Sequence, residues 1–186
     1  MLNRRWTQFF WASVLAVFSL GLAGCAGTSV VSDENLAKAP YKLSEVTVVW
    51  VDKEKLPYRV TKGCRGCEPK IEDSDKRLAF HVVRKMLIAF RQSAPAQIVA
   101  KLDRMGVEHG GRNTLELTPV EGSAVIGGGR SLTIRAAIID AKIDKEVWSI
   151  AIRANGPNTD SDEVFVSNFV ERLVAELSKV GWLDAK

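Results

Sequence analysis

The run SLTIRAAIID (131–140), the polar link AKIDK (141–145) and the run EVWSIAIRA (146–154) decide the fold. Both runs are rich in β-branched and aromatic residues, as half-buried strands are, and a short polar connection joins neighbouring antiparallel strands. A β-hairpin is therefore expected. Upstream, Leu115, Leu117 and Val120 alternate with polar neighbours, which predicts a strand up to Pro119 or slightly beyond, followed by a glycine-rich loop over 123–129. Downstream, Gly156-Pro157-Asn158 breaks the second run. A helix over 161–180 follows, with Val164, Phe165, Asn168, Phe169, Leu173, Val174 and Leu177 inward and Gly181 as its stop.

Further out, VTVVWV (46–51) reads as a largely buried strand. The stretch 52–73 has no clear period and holds Pro57, Gly63, Gly66, Pro69, Cys64 and Cys67; a run of that length without structure is often functional or stapled. From Asp73 or Ser74, either of which can cap, Leu78, Val82, Met86 and Phe90 recur at helical spacing, with Ala79, Val83 and Ala89 widening the stripe. The basic residues Lys76, Arg77, Arg84, Lys85 and Arg91 fall mostly outside it and read as a solvated face. Ser93-Ala94-Pro95 should end that helix, because a residue before proline avoids the α region, and Pro95 then suits the first turn of a second helix closed by Gly106. The expected order is β-α-α-β-β-β-α: an α/β domain of two or three layers, with a mixed sheet of about four to five strands and helices packed on it.

The N-terminus is of a different kind. Arg4 and Arg5 precede an apolar stretch over 9–22, roughly 14 residues, which suits a signal-peptide core and is short of the about 20 a spanning helix needs. It ends in Leu22-Ala23-Gly24-Cys25, which resembles the lipobox of bacterial lipoproteins. That resemblance implies cleavage between Gly24 and Cys25, acyl chains on Cys25, and a stable membrane anchor, since two or more chains hold where one does not. Ala26 rather than Asp after the cysteine points to the periplasmic face of the outer membrane. The expected domains are thus a signal peptide over 1–24, the lipidated cysteine with a flexible tether over 25–42, and one periplasmic domain over 43–186. Loss of Arg4 and Arg5 lowers the net charge from +4 to +2, too small and too interspersed to suggest nucleic acid.

The hairpin strings SLTIRA, IDA (139–141) and EVWS, the ending AELSKVGWL (175–183) and the segment 95–106 together resemble a group of bacterial envelope lipoprotein domains. This is the fold of the amino-terminal domain of TolB, also seen in the exopolysaccharide-export lipoprotein PelC and in auxiliary lipoproteins of ABC transport systems. The group shares no catalytic residues. The resemblance implies an accessory or scaffold role, a protein partner in the envelope, and self-association.

Cys64-Arg65-Gly66-Cys67 is the one pair with chemistry of its own. In the periplasm it fits a short structural disulfide. A redox site would need the first thiolate at a helix N-terminus, and Glu68-Pro69-Lys70 does not launch one. Zinc would need further ligands, for which His81 and His109 are the soft candidates, at no recognised spacing. Gly127-Gly128-Gly129-Arg130 leads into a strand rather than a helix, so it reads as a loop and not as an anion cradle. No nucleophile elbow is present, and Asp140, Asp144, Asp160 and Asp162 fall in turn or cap positions. No catalytic residue, cofactor or metal is expected. The leading expectation is a non-enzymatic binding lipoprotein; a thiol-disulfide protein using Cys64 and Cys67, or a carrier of a small molecule or lipid, are the alternatives.

Overall fold

The two runs that announce the hairpin pair over their whole length, from Gly129 opposite Pro157 to Asp140 opposite Lys145. The computed structural model describes residues 27–35, 39–63 and 70–184. In chain order the elements are β1 (Gly27–Asn35), β2 (Glu45–Trp50), β3 (Tyr58–Lys62), α1 (Asp73–Asp103), β4 (Glu108–Ile126), β5 (Gly129–Asp140), β6 (Lys145–Pro157) and α2 (Asp162–Lys179). They form one mixed sheet of order β1-β6-β5-β4-β2, in which β3 also pairs with β4. Strands β4, β5, β6 and β1 are antiparallel neighbours, whereas β2 and β3 run parallel to β4, one after the other along its outer edge.

Both helices cover one face. Leu115, Leu117, Leu132, Ile134, Ile138, Trp148, Ile150 and Ile152 point at them, and Met86, Phe90, Ile98, Phe165, Phe169 and Leu173 answer from the helices. Phe90 and Phe169 meet edge to face at 5.5 Å, joining α1 to α2. The other face carries short or charged side chains, including Ser123 and Ser131, whose hydroxyls lie 2.8 Å apart, and Arg153, which reaches Glu121 at 2.6 Å. Among the described residues the fold is therefore two layers, at the lower end of the expected range.

Four expectations are corrected. The two helices expected on either side of Pro95 are one helix with Pro95 inside it. Its buried residues Ala79, Val83, Met86, Phe90, Ala94, Ile98 and Leu102 run on in steps of three and four, so continuous burial overrides the cost of the proline. Leu78, expected inward, is 54 % exposed, and the helix begins with Asp75 accepting from the backbone N–H of Glu72 at 3.0 Å rather than with a cap from Asp73 or Ser74.

The segment expected as a tether contributes a strand and a strap. β1 pairs with β6 from Gly27 opposite Asn155 to Asn35 opposite Ser149. Beyond it, Ala39 N donates to Val180 O at 3.0 Å and Leu43 N to Trp182 O at 2.9 Å, fixing this stretch beside the end of α2. An edge strand needs only backbone partners and one apolar contact, which Val30 supplies to the core. The third correction is β3, a strand inside the stretch expected to be irregular. The fourth is β4, which extends seven residues either side of the predicted strand because Gly110 and Gly111, both at positive φ, let it bulge between Val46 and Thr47 of β2 and then resume. The sheet thus has six strands rather than four or five.

Candidate functional site

The side of α1 turned away from the core carries more apolar surface than a solvated face requires. Phe80, Arg84 and Leu87 share one stripe, and β3 with the turn before it lies alongside. Between them runs an open groove of about 460 Å³, floored by Leu56, Val83 and Leu87, walled by Tyr58 and Phe80, and rimmed by Lys53, Lys55 and Arg84, with Glu54 the only acid among its lining residues. The Tyr58 and Phe80 rings stand 5.8 Å apart, 39 % and 43 % exposed. Paired aromatics left this accessible beside cations make an amphipathic cleft suited to an apolar group that carries negative charge. β3 pairs only with β4 among the described strands, so its outer edge also offers backbone donors and acceptors beside the cleft.

The strongest polar constellation lies at the opposite end of the sheet. Arg112 Nε and Nη2 donate to Asp140 Oδ1 and Oδ2 at 3.0 and 2.7 Å, and Lys142 N caps the same carboxylate at 2.9 Å. Tyr41 Oη sits 2.8 Å from both Asp140 Oδ2 and Asn113 Oδ1; its one proton goes to the charged acceptor. The Arg112 guanidinium, and then the Tyr41 hydroxyl, hold the Asp140 carboxyl well below the usual carboxylate range. Burial, followed by Asp140 itself, pushes the Tyr41 phenol up. Arg112 also lies 5.3 Å above the Tyr41 ring, which meets Trp182 edge to face at 5.4 Å. Both carboxylate oxygens of Asp140 are engaged, so the cluster acts as a clasp holding the strap over 39–43 to the β5–β6 turn.

The residues singled out in the sequence are dispersed. Gly24, Cys25, Cys64 and Cys67 lie outside the described residues. His81 is exposed on α1 next to Phe80, and His109 is exposed at the start of β4. The helix from His81 to its end at Asp103 alone spans roughly 33 Å at 1.5 Å per residue. One ion therefore cannot take both histidines, and no group of three or more metal-ligating residues occurs among the described residues. The glycine run forms the tip of the β4–β5 hairpin. Arg130 is turned inward, 2.9 Å from Asp162 Oδ1 and 2.6 Å from the Asp160 carbonyl, with its guanidinium over the Phe165 ring at 4.8 Å. An arginine so engaged serves the start of α2 rather than an anion. Of Asp140, Asp144, Asp160 and Asp162, the first and last pair with arginines, and Asp144 sits at positive φ in the hairpin turn. The groove was missed because its residues come from α1, from the loop after β2 and from β3, which was not foreseen. The one signal was the surplus of large apolar residues on α1, where Leu78, Phe80 and Ile88 lie outside the core stripe.

No described protein family and no curated protein matches the chain. It is similar to several solved structures. The PelC dodecamer from Paraburkholderia phytofirmans is 14 % identical, covers 80 % of this chain and 96 % of its own, and superposes with a TM-score of 0.38. A DUF330 protein from Xanthomonas campestris is 11 % identical over 83 % of this chain and 90 % of its own, with a TM-score of 0.36. A lipoprotein from Neisseria meningitidis is 17 % identical over 73 % of this chain and 99 % of its own, with a TM-score of 0.31. Among the described residues no helix is long and apolar enough to cross a membrane.

Proposed function

We propose that this protein is a lipid-anchored accessory component of the bacterial envelope, held through Cys25 at the periplasmic face of the outer membrane, that binds another envelope protein without catalysing a reaction. The observation that carries the binding role is the groove between β3 and α1. It combines exposed aromatic rings, a cationic rim and an open strand edge, a combination suited to an extended segment with apolar side chains and carboxylates. The lipobox-like Leu22-Ala23-Gly24-Cys25 supports the anchor. Polar groups that could otherwise hint at chemistry are committed to the Arg112–Asp140 clasp and the Arg130–Asp162 pair.

A photo-crosslinking residue at position 80 in living cells tests the reading. The expected result is a discrete adduct with an envelope protein, absent when the probe stands at the exposed Ile143 and lost when Arg84→Glu is added to the position-80 probe. Equal labelling from 80 and 143, or an adduct indifferent to Arg84→Glu, would remove the groove as the binding site. A second reading is favoured by the groove's volume, which falls in the range of small-molecule sites; an anionic amphiphile would then be the ligand. An adduct of lipid or metabolite mass in the same experiment identifies that case.

A further inference from the structure

The first residue of β1 stands two positions after Cys25, and its place in the sheet constrains the whole domain. Gly27 lies in one row with Asn155, Ser131 and Ser123 across β6, β5 and β4. From that row the β4–β5 hairpin continues three residues further to Gly128, roughly 10 Å at 3.3 Å per residue. The Cα of Cys25 can reach at most about 7 Å beyond Gly27, because an extended chain spans no more than 3.3–3.6 Å per residue. The hairpin tip therefore projects past the farthest point the Cα of residue 25 can reach along the strands. An acylated Cys25 has no slack with which to hold this end of the sheet away from the lipid.

The surface at that end is suited to such contact. Gly127 and Gly128 present backbone only, and Gly127 lines a recess with Leu78 and Val82 of α1, Ile126 of the tip, the uncharged Asn158 and Arg130. Leu78, 54 % exposed, is a large apolar side chain that the core does not use. The charges beside the tip are paired within the protein, Arg130 with Asp162 and Lys62, which lies opposite Ile126, with Asp75. A patch without net charge, apolar and close to the anchor, can enter the headgroup boundary at little desolvation cost.

We infer that the hairpin tip together with Leu78 rests directly on the phospholipid surface, as a second contact beside the acyl chains, and that the domain does not stand off on a tether. The inference rests on the lipid-anchor reading of Cys25. It orients the molecule. The Arg112–Asp140 clasp, eleven residues along β5 from Gly129, is the far pole, and the β3–α1 groove opens partway up the side.

The test uses the full-length protein, expressed so that it is processed, purified in detergent and reconstituted into phosphatidylethanolamine–phosphatidylglycerol vesicles. A photo-crosslinking residue replaces either Leu78 or, as a far-pole control, Ile143, both exposed positions. Intact mass first establishes whether each preparation carries acyl chains. Several-fold more lipid adduct at position 78 than at 143 is expected. Inserting ten Gly/Ser residues between Ala26 and Gly27 will lower the yield at 78 towards that at 143. An acylated protein with equal labelling at the two positions, or one whose labelling at 78 ignores the insertion, overturns the inference and leaves the anchor intact. A preparation without acyl chains overturns the anchor reading, and the inference with it.

Discussion

Arg112 reaches diagonally across adjacent antiparallel strands to Asp140, which lies opposite its neighbour Asn113, and joins it through two hydrogen bonds of 3.0 and 2.7 Å, with the carboxylate nearly enclosed and the guanidinium at the surface. Because Tyr41 binds the same carboxylate, the pair also fixes the chain segment that leads from β1 to β2.

The first prediction concerns acid. The folded carboxyl of Asp140 titrates below its unfolded value of about 3.9, so its contribution to stability is complete above that value and is lost as pH falls through the lower folded one. Asp140→Asn will lower the Tm at pH 7 and will show a shallower fall than the wild type below about pH 4. Thermal melts followed by circular dichroism across pH 2–8 measure both; parallel profiles for the two proteins would mean that the pair adds nothing. Tyr41→Phe removes one hydrogen bond to a charged group and will cost about 1–2 kcal/mol.

A second prediction tests the contact between α1 and the sheet. A Cβ at Gly122 would lie 2.3 Å from Val83 Cγ1, so the glycine is what lets helix and strand approach. Gly122→Ala will destabilise by about 1–3 kcal/mol through overpacking. Combined with Val83→Ala, which makes room, it will cost clearly less than the sum of the two single changes. Urea titration of the four proteins gives the coupling directly.

Pro95 provides a third. It lies in the interior of α1, where its ring nitrogen cannot donate to the carbonyl four residues earlier. Pro95→Ala restores that bond and should raise stability by about 1–3 kcal/mol, measured by the same titration, since proline costs about 3 kcal/mol in a helix interior. No change would indicate that the surrounding packing already absorbs the distortion.

The fourth concerns β1. A soluble form beginning at residue 36 lacks the strand that covers β6 from Ser149 to Asn155. Hydrogen exchange followed by mass spectrometry will show faster exchange in β6 than in a form beginning at Ala26, while β4 keeps its protection through β5 and β2. Unaltered protection in β6 would mean that β1 is dispensable.

How much of this architecture was legible in the residues depends on how each element gains its stability. β5, β6 and α2 bury large side chains at regular spacing, and their periods announce them within two residues of the observed limits, save that β6 continues to Pro157, through the Gly156-Pro157 expected to break it. The strands β1 and β3 bury little. The pattern of β3, Tyr-Arg-Val-Thr-Lys, leaves every residue but Val60 exposed, so its strand state comes from β4 supplying backbone partners. Pro95 misled because a local steric rule was opposed by a core stripe running through it unbroken. The groove depends on β3 and was hidden with it. Arg112 and Asp140 stand 28 residues apart, and only the register of β4 on β5 brings them together.

The long strand β4 has antiparallel β5 on one side and parallel β2 and β3 on the other, while β1, whose Asn35 pairs with Ser149, waits for a partner from the far end of the chain. For a polypeptide that emerges amino end first, none of the first three strands can find its neighbour on arrival. The meander β4–β5–β6, whose contacts are local, can assemble once its own residues have emerged, and the earlier strands then add to its two free edges. Until that happens the unpaired edges of β1 and β2 are open to strangers. Such an interval is when a holdase chaperone would be needed, and slowing the late arrival of β6 would lengthen it.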